Sequence, residues 1–169
     1  MSQTRHEFGP VIRLEADALG GAGQRTFCLL AAGREGSAAL WLEKEELQAL
    51  GVAVDQLLAR LSDHPEWKPY GVPAGEYRPA EGFSPEPLVE FEVGQLSLGY
   101  ESDSDMFVLL VHDAEDDPEG PATFSCRAST AQMRALSRRI ETVVSAGRPR
   151  CPLCSEPLEP EGHVCVRSN

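Results

Sequence analysis

The sequence predicts an α+β protein. It would hold one antiparallel sheet from two similar strand-strand-strand-helix halves, with both helices on one face and a small cysteine-rich tail. Three observations carry that prediction. Short apolar or alternating runs separated by turns and loops come three at a time, twice over. Each triplet is followed by an apolar stripe at helical spacing. Three of the five cysteines crowd the last 19 residues.

The N-terminus, with His6, reads as a loose end. Residues 11–16 alternate in part and read as the first strand, and Gly20 to Gly23 as a turn. Residues 26–32 read as a largely buried strand, residues 33–36 as the next turn, and residues 37–42 as a third strand. From Lys44 the period changes: Leu47, Leu50, Val54, Leu57 and Leu61 form the stripe of a helix. Gly51 lies inside that run, where a glycine is expected to kink or split it.

Residues 62–87 hold six of the thirteen prolines and no sustained period, which excludes a helix or a central strand. They also hold Trp67, Tyr70, Tyr77 and Phe83. An arm with that much aromatic surface either packs on the protein's own body or serves as a lid or a docking arm for a partner.

The second half then repeats the first. Residues 88–93 alternate as a strand, and residues 95–100 extend it or pair with it. Residues 101–105 read as a turn, 106–111 as a buried strand, 115–120 as an acidic loop and 123–127 as a further strand. Ser129 or Thr130 caps a helix running to about Ala146, with Gly147 as its stop. Its stripe is Met133, Leu136, Ile140 and Val143 or Val144. Phe27-Cys28-Leu29-Leu30 matches Phe107-Val108-Leu109-Leu110, and residues 46–50 resemble residues 132–136. The expected organisation is an α+β domain over residues 1–147, made of half one at about 8–61, the arm at 62–87 and half two at 88–147. The tail, residues 148–169, follows.

Fifteen basic and 27 acidic residues give a net charge of −12, unevenly spread. Residues 1–126 carry 8 basic and 23 acidic side chains; residues 127–169 carry 7 arginines against 4 acids. That balance argues against charge-driven binding to nucleic acid or an anionic membrane, because phosphate contacts need a basic surface. No apolar run approaches the roughly 20 residues of a membrane span. No basic stretch followed by an apolar run marks a secretory signal, and the odd cysteine count suits a reducing compartment, so a cytoplasmic protein is expected.

In the tail, Cys151, Cys154, His163 and Cys165 form the pattern C-x2-C-x8-H-x-C. A CxxC turn aims two thiolates at one point, and positions 163 and 165 fall on one side of an extended segment. Three sulfurs and an imidazole make a closed tetrahedral set for structural zinc. The tail has too little apolar surface to fold without a metal. A redox CxxC is the rival, but it belongs at a helix N-terminus. Cys28 and Cys126, in expected strands, read as inert core cysteines.

No catalytic set emerges. His112-Asp113 sits at a strand end beside acidic residues, which a solvated strand end explains as well as a base would. Asp103 and Asp105 lack a calcium-loop frame. Arg25, Arg127, Arg134, Arg138 and Arg139 could hold an anion, since Arg134 and Arg138 lie one helical turn apart. With Trp67 and Tyr70 they are the candidate binding residues. The expected function is a zinc-containing binding or adaptor module for a protein or a phosphate-bearing ligand. An enzyme with its site between the halves is the alternative, and nucleic-acid binding through the basic end a second one.

Several motifs together resemble a known family. Residues 23–27 (GQRTF), 42–44 (LEK), 86–88 (EPL), 91–94 (FEVG) and 98–100 (LGY) match it in order, and residues 131–135 (AQMRA), 146–149 (AGRP) and the cysteine tail continue the match. The chain resembles an uncharacterised, mainly actinobacterial family of conserved hypothetical proteins whose tail carries a zinc-ribbon-like CPxC…GHxC pattern. Ser155 and Val166 depart from the glycine and proline of that pattern, and neither is a ligand. The resemblance implies the metal site and no mechanism.

Overall fold

The structure, a computed structural model, describes residues 4–20, 25–63, 86–146, 151–154, 164, 165 and 167. Its elements run β1 (His6–Pro10), β2 (Arg13–Leu19), β3 (Thr26–Gly33), β4 (Gly36–Leu42), α1 (Lys44–Ser62), β5 (Val89–Glu101), β6 (Met106–Asp113), β7 (Phe124–Ala128) and α2 (Thr130–Ser145). They form the expected α+β arrangement, with one seven-stranded sheet of order β1-β7-β6-β5-β4-β3-β2. No helix among the described residues is long and apolar enough to cross a membrane.

Within each half the sheet is an antiparallel meander, β2-β3-β4 and β5-β6-β7. Where the halves join, it is not: β4 pairs β5 in parallel, and β1 pairs β7 in parallel. Parallel neighbours need a crossover connection, and α1 supplies it between β4 and β5.

The sequence does not signal β1, because Gly9-Pro10 reads as a break. An edge strand tolerates proline, which has no N–H to give, and Gly9 takes a φ of 55° where the register with β7 shifts. His6 therefore opens a strand rather than lying loose, and the first strand expected at 11–16 becomes Arg13–Leu19. Only Val11 and Ile12 separate β1 from β2. Val11 N donates to Arg127 O and Ile12 N to Ala32 O, both at 2.8 Å. One bent segment thus serves both edges, and the sheet curls back towards itself.

β5 is built the same way. Its first four residues pair with β4 in parallel, and beyond a register shift at Gly94 the rest pairs antiparallel with β6, so residues 95–100 extend the strand. A Cβ at Gly94 would stand 2.7 Å from Ala114 Cα, so the bulge requires glycine.

Both helices press their stripes onto the apolar face of the sheet. Leu29, Leu40, Phe107, Phe124, Met133 and Leu136 are at most 1% exposed within this single core. Gly51 neither kinks nor splits α1. A Cβ there would lie 3.0 Å from Ile140 Cγ2, so the glycine lets α2 approach. Ser129 caps α2 through a capping box with Gln132. The matched quartets fall on β3 and β6, the central strands of the two meanders, and residues 46–50 and 132–136 begin at the third position of each helix. Ser62, expected to open the arm, is the last residue of α1; residues 64–85 of the arm, with Trp67 and Tyr70, lie outside the described residues, as do Gly147 and His163.

Candidate metal centre

The segment Cys151-Pro152-Leu153-Cys154 folds as a turn in which Cys151 is buried and Cys154 half-buried. Leu153 stands 54% exposed and Val164 93%, so the thiols are the groups this segment turns inward. The sulfurs of Cys151, Cys154 and Cys165 all lie within 4.8 Å of one another. Cys151 Sγ is 3.8 Å from Cys165 Sγ. Thiolates about 2.3 Å from a tetrahedral ion stand roughly 3.8 Å apart, so the trio has the dimensions of a metal site.

The turn also prepares the chemistry. The Cys151 thiol is pulled down to about 6, first by the backbone N–H of Cys154, then by that of Leu153 and by the neighbouring thiols. Such a thiol is largely thiolate at neutral pH, the form that binds a metal. Arg167 Nη1 donates to Leu153 O at 3.4 Å and ties the second ligand strand to the turn. No disulfide is formed among the described residues. Burial pushes Cys28 and Cys126 up to about 12, which makes them inert, as expected. His163, the expected fourth ligand, lies outside the described residues.

The candidate anion residues are spread out. Arg127 Nε donates to Glu101 at 3.0 Å and its Nη1 to Glu7 at 3.3 Å. Arg127 holds the Glu101 carboxyl below its ordinary value, and Glu101 and then Glu7 raise Arg127. Arg139 Nε donates to Ala16 O at 3.0 Å, and its Nη2 lies 3.4 Å from Asp17. Arg134 and Arg138 are exposed on α2 with no ion pair among the described residues, and Arg25 is half-buried just before β3. Sequence reasoning missed Glu7 as a partner because its strand went unrecognised.

His112 and Asp113 build the loop after β6. His112 Nε2 donates to Gly120 O at 3.2 Å, and the buried Nδ1 has no partner among the described residues. Asp113 N donates to Thr123 Oγ1, while the Asp113 carboxylate accepts from Glu115 N. Asp105, at a φ of 55°, accepts from Tyr100 OH.

Fold and site together define a curled α+β protein with a C-terminal thiol cluster able to hold a metal. The chain belongs to the family described as protein of unknown function DUF3090, whose model matches residues 6–165. No curated protein and no solved structure matches it.

Proposed function

We propose that this protein is a zinc-containing binding or adaptor module of the cytoplasm. The observation that carries the reading is the convergence of the Cys151, Cys154 and Cys165 sulfurs within 4.8 Å. Three soft ligands favour zinc over the harder divalent ions, and His163 completes the set. Four protein ligands leave no position for substrate, so the metal is structural. Recognition then falls to other groups: the exposed Arg134 and Arg138 pair with Arg25, and Trp67 and Tyr70, for a protein or a phosphate-bearing ligand.

The test is metal content by mass spectrometry on untagged protein purified without chelator. The expected result is one zinc per chain, lost in Cys154→Ser while the circular dichroism of the α+β body is kept. Stoichiometric zinc retained in Cys154→Ser, or a metal-free wild type with a Cys151–Cys154 disulfide, would overturn the reading.

A further inference from the structure

A cavity of about 300 Å³ lies between α1 and β5, and its lining includes Glu46, Ala53, Val93, Leu96 and Leu98. At the corresponding place between α2 and the Val11–β2 segment, two side chains reach from helix to strand. Leu29 of β3 matches Leu109 of β6; Ala16 pairs with the first and Leu98 with the second, so Ala16 and Leu98 correspond. In the same register Arg13 corresponds to Gln95, which makes Val11 the counterpart of Val93. The third helical positions align Glu46 with Gln132, and hence Ala53 with Arg139. Between α2 and the Val11–β2 segment, Gln132 Nε2 donates to Val11 O at 2.8 Å and Arg139 Nε to Ala16 O at 3.0 Å. All four of those positions have their counterparts in the lining of the α1–β5 cavity, where the amide is replaced by a carboxylate and the guanidinium by a methyl group.

We propose that this cavity takes an arginine side chain from a basic, extended segment of a partner protein. The chain's own Arg139, an exposed residue, shows that a guanidinium at this position can reach from helix to strand carbonyl. Leu96 and Leu98, half-buried, offer a wall for the methylene stem. Glu46 spends Oε2 on Glu43 N, which leaves Oε1 to accept from the incoming cation. Among the described residues no basic side chain lines the cavity, and residues 1–126 carry 8 basic against 23 acidic groups, so the charges are complementary. A guanidinium, with several N–H groups in a fixed plane, can serve a carbonyl and a carboxylate together; an ammonium matches that geometry poorly. The inference stands on the α+β body alone and holds whether or not the tail carries zinc.

The test titrates acetyl-arginine amide, acetyl-lysine amide and acetyl-leucine amide separately into the full-length protein, with backbone amide resonances followed by NMR. Arginine should give saturable shifts at Glu46, Ala53, Val93 and Leu98, about tenfold tighter than lysine. Ala53→Arg grafts the half-two donor into the cavity and should weaken arginine binding about tenfold or more. Equal shifts scattered over the acidic surface, equal effects of leucine amide, or undiminished binding to folded Ala53→Arg would each overturn the proposal. Should that variant fail to fold, the mapping and the arginine-lysine contrast on wild type decide.

Discussion

Where β4 runs beside β5, Trp41 Nε1 reaches across to Glu90 at 2.9 Å; where β7 runs beside β1, Arg127 stands at the corresponding position and reaches Glu7 at 3.3 Å. Glu90 pairs with Ala39 and Glu7 with Ser125, so the two carboxylates also correspond. The backbone needs a group on one parallel strand that spans to an acid on the next. Half one spans the gap with an indole N–H and half two with a guanidinium, which also recruits Glu101. The parallel junction thus constrains reach and donor capacity, and leaves residue type open.

The largest difference between the halves lies three residues before Trp41 and Arg127. Phe124 of β7 is fully buried and meets Phe8 edge-on, with ring centroids 4.9 Å apart; its counterpart in β4 is Ala38. Phe124→Ala makes half two resemble half one at this point, but Phe8 and the β1 edge stay behind around an empty space. The expected loss is about 3–5 kcal/mol in urea denaturation. A loss under about 1 kcal/mol would mean that Phe8 refills the space and that the aromatic pair does not distinguish the halves.

A second contrast is the connection between the last two strands of each meander. β3 turns into β4 through two residues, Arg34 and Glu35, with Gly33 paired to Gly36. Between β6 and β7 an acidic loop intervenes, held by Thr123, whose hydroxyl accepts from Asp113 N at 2.9 Å and donates to Asp116 Oδ2 at 2.7 Å. Thr123 first, and Arg5 after it, hold the Asp116 carboxyl below its ordinary value. A carboxylate with a depressed folded pKa adds stability above its unfolded pKa and loses it as pH falls through the folded value. Thr123→Val leaves Asp113 N without its acceptor, a loss of about 1–2 kcal/mol at any pH. It also returns Asp116 towards its ordinary pKa. The gap between variant and wild type should therefore be widest at neutral pH and narrow below the ordinary carboxylate range. A gap of constant width from pH 7 to pH 3 would show that Asp116 adds nothing to the loop.

These contrasts also show what the sequence made legible. β3, β4, β6, β7 and both helices announce themselves, because apolar period and caps such as Ser129 are local signals. The cysteine trio is equally local. Parallel pairing of β4 with β5 has no local period, and β1 hides behind Gly9-Pro10. Gly51 is misread in isolation because its reason, Ile140, sits on another helix. Arg127 reads as available for a ligand because Glu7, which neutralises it, lies 120 residues away. Whatever depends on a distant partner had to wait for the fold.

The smallest contrast is in how the two helices start. Ser129 Oγ accepts from Gln132 N at 3.2 Å, and Gln132 Oε1 accepts from Ser129 N at 2.9 Å. The junction is half-buried, and Gln132 reaches on to Val11 O, so this cap is also part of how α2 is held to the sheet. At the start of α1, Glu46 Oε2 accepts from Glu43 N at 2.9 Å in an exposed setting, and glutamate is not a favoured capping residue. Ser129→Ala should therefore cost about 1 kcal/mol and Glu43→Ala about 0.5 kcal/mol. Equal losses from the two variants in matched denaturation curves would show that both helices depend on their caps alike. The greater loss at Ser129 would instead tie α2 to the β1–β2 segment through its first turn, the attachment that α1 lacks beside the open cavity.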